Sequence, residues 1–234
     1  MINVKNITKD FTSGTVVTHV LRGVDLEIPD GQFVAIVGPS GAGKSTLMYQ
    51  MGLLDTPSSG SIFVDEIEVS ALNDADAIQY RLDNYGFVFQ DYALIPELTA
   101  LENVTLLGLM QGIDYETVKK EAVAILESFN LKNQVHHLPS QLSGGEQQRV
   151  SVARAIIKKP KILFADEPTA SLDSDMSAQV MKVFLDLNKN GQTIVMVTHE
   201  EEYAMMADRI VRVKDGKVVD DKMLPKKHQA EMNL

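Results

Sequence analysis

The sequence has no cysteine at any of its 234 positions. That absence excludes disulfides, thiolate metal sites and cysteine nucleophiles together. Positive charge is also scarce: 22 Lys and Arg stand against 32 Asp and Glu, a net charge of −10. A general nucleic-acid binder needs clustered cations to neutralise phosphates, and a chain held on an anionic membrane by its own surface needs them too. Neither class fits. Long apolar runs are missing as well, since no stretch approaches the roughly 20 residues that span a bilayer. Runs such as Ile194 to Val197 are the size of a buried strand. The opening MINVKNITKD lacks the apolar core of a signal peptide. Internal repeats and low-complexity linkers are absent. These gaps predict a cytoplasmic chain, with any membrane role exerted through a partner.

With 44% hydrophobic and 23% charged residues, the composition is that of a globular protein, long enough for one sizeable core with a subdomain. INVKNI and HVLRGVDLEI alternate as strands do, and a Pro29–Asp30–Gly31 turn leads into QFVAIVG. KSTLMYQMGLL has helical spacing, SIFVDEIEV reads as one strand, and GFVFQ reads as a short buried one. From about 91 to 160 the pattern is helical, in ALENVTLLGLMQG, YETVKKEAVAILESFNL and GEQQRVSVARAIIKK. Strands return in KILFAD, TIVMVT and RIVRVKDGKVV, with a helical segment between the first two. Strands at both ends of a helical block predict an α/β core with a helical insertion. The polar stretch from 222 to 234 reads as a tail or a small helix.

Gly38–Pro39–Ser40–Gly41–Ala42–Gly43–Lys44–Ser45 fits G-x-x-x-x-G-K-[ST] between a strand and a helix. Glycines there let backbone N–H groups turn inward around phosphate oxygens, and the helix start behind them favours negative charge. Lys44 reaches for the β- and γ-phosphates, Ser45 offers a hydroxyl to Mg²⁺, and Gly38, Ser40, Gly41, Ala42, Gly43 and Thr46 complete the nucleotide-binding set. ILFADEP ends an apolar run in Asp166 and Glu167, at the strand edge where ligands bind in open α/β sheets. Asp166 suits Mg²⁺. Glu167 is placed to orient and deprotonate an attacking water.

Far downstream, Ser143–Gly144–Gly145–Glu146 opens another helix. The S-x-x-E spacing is a capping box, which alone makes this a well-capped helix start. A glycine-containing helix start is equally a second anion cradle, and both readings stand. One nucleotide needs only one cradle, so the second is surplus.

The ordered series of the phosphate loop, Gln90 in FVFQD, LSGGEQQR, the acid pair, SLD at 171 to 173 and His199 in VTHEE resembles the ATP-binding subunit of an ATP-binding cassette (ABC) transporter over about residues 2 to 220. The resemblance implies a P-loop NTPase, RecA-like α/β core with an N-terminal antiparallel β subdomain and a helical signature subdomain, in one ATPase domain covering 1–234. It implies ATP hydrolysis with Mg²⁺ held by Ser45, Gln90 and Asp166. Glu167, His199, Gln90 and Lys44 become the catalytic set, with His199 on the γ-phosphate. Phe11 takes a position where an aromatic ring, often Tyr, stacks on adenine. Ser143, Gly145 and Asp173 would meet ATP across a two-fold homodimer, which gives the surplus cradle its use. His136 and His137 lack metal-ligand company and read as loop residues.

Within the family the chain resembles the group containing the lipoprotein-releasing ATPase LolD and the macrolide exporter MacB, on TVVTHVLRGVDLEI, GLLDTPSSGSI, GFVFQDYALIPELTALENV and TIVMVTHEEEYAMMADRIVRVKDGKVV. TASLD departs from the TGNLD common there. The implied partner is a separate membrane-spanning permease with a large extracytoplasmic domain, which places this chain peripherally at the cytoplasmic face of the inner membrane. A cargo-free regulatory ATPase like the cell-division protein FtsE shares the architecture. DNA-repair and translation members differ by long coiled coils or tandem cassettes, and a short acidic cassette has neither.

Overall fold

The structure, a computed structural model, describes residues 1–225 of the chain. The strands and α-helices follow in the order β1 (Ile2–Ser13), β2 (Val16–Ile28), β3 (Phe33–Val37), α1 (Lys44–Met51), β4 (Ser59–Val64), β5 (Ile67–Glu68), α2 (Asp74–Asn84), β6 (Tyr85–Val88), α3 (Ala100–Met110), α4 (Tyr115–Ser128), α5 (Gly144–Ile156), β7 (Ile162–Asp166), α6 (Ser174–Lys189), β8 (Thr193–Val197), α7 (Glu201–Ala204), β9 (Arg209–Lys214) and β10 (Lys217–Met223). They belong to two units, one made of Met1–Arg81 with the return from Asn188 onward, the other of Leu82–Leu187.

In the first unit, β1 lies between β2 and β4 in an antiparallel sheet, with β5 paired to β4. Burial alternates along β1 and β2, with Ile2, Val4, Ile7, Leu21, Val24, Leu26 and Ile28 turned inward. That is the pattern of a sheet with one covered face. A second set of strands runs β10-β9-β3-β8, with β3 parallel to both β8 and β9 and β10 antiparallel to β9. Every residue of β3 and of β8 is buried, which is why both read as continuous apolar runs rather than alternating ones. Arg209 on β9 donates from Nε and Nη2 to the two carboxylate oxygens of Asp221, each at 2.6 Å, and from Nη1 to the Glu27 carbonyl at 2.7 Å. This bidentate pair ties β10 to β9 and lowers the Asp221 pKa.

The second unit pairs β6 with β7 in parallel, in register from Tyr85 with Ile162 to Val88 with Ala165. Phe164 meets Tyr85 edge-on at 5.2 Å and stacks on Phe87 at 5.4 Å. Each such contact adds roughly 0.5–1.5 kcal/mol beyond area burial. The helical block expected from about 91 to 160 falls inside this unit and carries α3, α4 and α5. Gly108 lets α3 approach α4 closely, since a Cβ there would lie 2.9 Å from both Val118 methyl groups. Asn103 on α3 is fully buried. Its Oδ1 accepts from the Ile95 N–H at 2.8 Å, and its Nδ2 donates to the carbonyls of Ile95, Leu98 and Thr99. One side chain therefore closes the backbone of the loop that precedes α3.

Several expectations change. SIFVDEIEV is two strands, β4 and β5, because Asp65 takes a left-handed conformation with φ 54 and turns the chain. The stretch after it forms α2, which buries no residue fully and which the sequence reading passed over. Its start is marked by Asn73, whose Oδ1 accepts from the Asp76 N–H at 3.0 Å, and by Asp74 and Asp76 in the first turn. RIVRVKDGKVV is the hairpin β9–β10, turned at Asp215 and Gly216. The expected tail from 222 begins inside β10, and its part from 226 lies outside the described residues. No helix among the described residues is long and apolar enough to cross a membrane.

Replacing Asn103 by Ala removes the acceptor of the Ile95 N–H and the side-chain donor to the Leu98 carbonyl, while the Ile95 and Thr99 carbonyls keep the backbone N–H groups of positions 98 and 103. Urea denaturation of Asn103→Ala is expected to show a loss of about 2–4 kcal/mol.

Candidate nucleotide site

The candidate residues divide between the two units. In the first, β3 ends at Val37 and the chain enters a loop whose glycines have different reasons to be glycine. Gly38 has φ 153, and a Cβ on it would sit 2.1 Å from the Val213 carbonyl oxygen. Gly43 has φ 96, and a Cβ there would lie 3.0 Å from both the Val20 carbonyl oxygen and Leu21. Gly41, at φ 76, faces open space and needs only its backbone freedom. The Ala42 N–H bonds the Pro39 carbonyl at 3.2 Å, and the Ala42 carbonyl accepts from the Gly216 N–H at 3.1 Å. The loop is therefore pinned by the β9–β10 hairpin turn.

Gly43 is the N-cap of α1 and supplies no side-chain cap. The partial positive charge at such a helix start suits a phosphate. Lys44, at the first helical position, is buried, and its Nζ donates to the Pro39 carbonyl at 3.2 Å, which keeps the ammonium over the loop. Ser40 and Gly41 are exposed, Ala42 is buried, and Ser45 and Thr46 are half-buried on the first turn. His199 follows β8 and Thr198 as an exposed side chain. It is held at a backbone turn where the Glu200 N–H bonds the Thr198 hydroxyl at 3.0 Å. Phe11 lies on β1 opposite Thr18, 49% exposed, with Lys9 Nζ 5.0 Å from its ring centroid. It is a surface ring rather than core.

In the second unit, β7 is buried throughout and ends at Asp166, which is 8% exposed. Glu167 follows with φ 47, a left-handed conformation rare in a residue with a long side chain. Gln90 is exposed two residues beyond β6. Asp173 is exposed, and its Oδ1 accepts from the Met176 N–H at 2.9 Å, so it caps α6.

Ser143 caps α5 with the expected reciprocal box: its Oγ accepts from the Glu146 N–H at 3.3 Å and Glu146 Oε2 accepts from the Ser143 N–H at 2.8 Å. Gln134 steadies the other Glu146 oxygen at 2.9 Å. The cap uses the third N–H of the helix, and helix geometry leaves those of Gly144 and Gly145 without an intrahelical partner. Both glycines are also packed upon. A Cβ on Gly144 would sit 2.8 Å from the Tyr92 hydroxyl, and one on Gly145 2.9 Å from the Met176 side chain. Tyr92 and Met176 carry no signal in the sequence, because only the fold brings them to the helix start.

Charge along α5 is partly desolvated. Burial lowers the Arg149 pKa, with the Glu146 carboxylate opposing it, and burial also lowers that of Arg154. Burial raises the Tyr92 phenol. Arg149 donates to Gln179 at 2.7 Å. No group of three or more His, Cys, Asp and Glu residues suited to a metal occurs among the described residues, so a cation would need other oxygen donors as well.

The family model described as ABC transporter matches residues 21–170. The chain is 45% identical over 220 residues to the lipoprotein-releasing system ATP-binding protein LolD of Bacteroides fragilis, covering 94% of this chain and all of that one. It is 43% identical over 221 residues to the macrolide export ATP-binding/permease protein MacB of Marinobacter nauticus, covering 94% of this chain but only 34% of that protein. Among solved structures, the dimeric post-hydrolysis state of the ATP-binding cassette MJ0796, bound to ADP and Pi, superposes with a TM-score of 0.90 at 41% identity, over 96% of this chain and 99% of that one.

The loop geometry ranks two substitutions. Gly38→Ala meets a backbone oxygen as well as φ strain, whereas Gly41→Ala meets φ strain alone, about 1–2 kcal/mol. Thermal melts and equilibrium ATP binding should show the larger loss for Gly38→Ala in both.

Proposed function

The chain belongs to the ABC transporter family as an ATP-binding, ATP-hydrolysing subunit, and from that premise we propose how its residues divide the work and what the work drives. The observation that carries the reading is the pair of glycine-bearing helix starts, at Gly43 in one unit and Ser143 in the other. Gly38 to Thr46 hold the triphosphate of one ATP, with Lys44 on the β- and γ-phosphates. Phe11 offers a ring face to adenine and loses only the hydroxyl of a tyrosine. Ser143, Gly145 and Asp173 serve the ATP of a second copy. Each nucleotide is then gripped by two chains, and closure of the homodimer depends on ATP. The dimeric form of MJ0796 supports this arrangement.

Mg²⁺ fits the oxygen donors available, the Ser45 hydroxyl, the Gln90 amide and the Asp166 carboxylate, together with phosphate oxygens. When bound it neutralises charge between the phosphates. Glu167 orients the attacking water and takes its proton, while His199 steadies the γ-phosphate from one ring nitrogen.

The names of the relatives point to the driven partner. A membrane-spanning permease with a large extracytoplasmic domain receives the dimer's closing and opening as a mechanical stroke at the cytoplasmic face of the inner membrane. LolD and MacB are named for lipoprotein release and macrolide export, so extrusion of a lipoprotein, peptide or antibiotic is the class of work proposed. A cargo-free regulatory role has no observation in its favour.

Glu167→Gln should cut steady-state ATP turnover by about 100-fold or more while ATP binding and ATP-dependent dimerisation persist. Unchanged turnover would remove Glu167 from the base role. For the shared sites, Ser143→Arg chains mixed with Lys44→Ala chains should recover one working site per heterodimer, read as ATPase activity absent from either variant alone. A mixed dimer, proved by two affinity tags, that stays inactive would contradict the shared arrangement.

A further inference from the structure

Gln148 lies on α5 one turn beyond the signature start and is fully buried. Its Nε2 donates to the Pro168 carbonyl at 2.8 Å and, over a longer 3.4 Å, to the Phe89 carbonyl. These carbonyls belong to the residues adjoining Glu167 and Gln90. Both acceptors are carbonyl oxygens, so only the N–H edge of the amide can face them, which fixes its orientation. The opposite edge, Oε1, is buried without a hydrogen-bond partner among the described residues. A half-satisfied buried amide is a poor way to fill space, and an apolar side chain of the same length would fill it better. Gln148 therefore contributes orientation more than packing.

What it orients is strained. Glu167 holds φ 47, and such conformations persist in residues other than glycine only where the surroundings over-determine them. Close by, the Ala170 N–H bonds the Glu167 carbonyl at 3.2 Å and Gln148 bonds the next carbonyl along, and both hold the segment that follows it. The Phe89 carbonyl also accepts from the Tyr92 N–H at 3.2 Å, closing a turn in which Tyr92 and Ala93 both have positive φ. Arg154, further along α5, donates to the carbonyls of Tyr92 and Ala93. One helix thus holds the turn after β7 and both ends of the 89–93 loop.

We propose that Gln148 is a positioning residue for ATP hydrolysis, tying Glu167, and with it the Phe89–Gln90 strand end, to the helix that begins at Ser143. This rests on the roles given above to Glu167 and Ser143. A shift of α5 on engaging the second copy's nucleotide moves the donor and so resets the carboxylate. Hydrolysis then follows engagement of the second cradle.

Gln148→Met keeps length and shape while removing the donor. In the full chain, kcat for ATP is expected to fall about 10–100-fold, the scale of an ångström's misplacement of a reacting group. KM for ATP should stay within about twofold and ATP-driven dimerisation should persist, a split that general loosening of the fold would not produce. If Gln148→Met melts early, Gln148→Leu takes the same measurements. Wild-type kcat in a folded variant overturns the proposal, and so does a loss of kcat matched by loss of ATP binding. Glu167→Gln, assayed beside it, separates the two readings. Normal turnover in that variant sinks the base assignment. Loss there, with normal turnover in Gln148→Met, removes Gln148 alone.

Discussion

A helix start leaves backbone N–H groups without partners, and the way those groups are handled governs this protein. At α1 the cap is Gly43, which contributes no side chain, and the loop before it is bent to positive φ at Gly38, Gly41 and Gly43. At α5 the cap is Ser143, which takes only the Glu146 N–H for itself. Both starts depend on close packing that a side chain would block. Gly38 lies against Val213, and Gly144 lies against Tyr92. The rest of each unit holds these two starts still.

The two units do so by different means. Buried β3 and β8 and the β9–β10 hairpin fix the phosphate loop in the first, with the Gly216 N–H bonded to the Ala42 carbonyl. In the second, polar side chains inside the helical block fix loops. Asn103 closes the 95–99 segment, and Gln148 and Arg154 reach the carbonyls around Phe89, Tyr92 and Pro168. Loops held by side-chain amides and guanidinium groups can be reset by small helix shifts, while loops held by a sheet cannot.

Legibility followed periodicity and chemistry. The phosphate loop, the acid pair and the capping box could be read because each needs fixed residue types at fixed spacing. β3, β7 and β8 could be read because full burial demands unbroken apolar runs. Helix α2 was passed over, a short polar segment that buries no residue fully. The turn at Asp65 was equally silent, because a single left-handed aspartate leaves the surrounding alternation intact.

The sequence by itself determined the local motifs: a glycine-rich loop with phosphate-loop spacing, an acid pair at the end of a buried strand and a capping box that carries two glycines. These are properties of local residue order, and local order survives in a string. Only the tertiary structure decided what backs each of them. That Met176 underlies Gly145, that Val213 excludes any Cβ from Gly38, and that Gln148 reaches the carbonyl beside a strained Glu167 are contacts between residues as much as about 175 positions apart. No local rule encodes such pairs, because they exist only once burial has brought distant segments together.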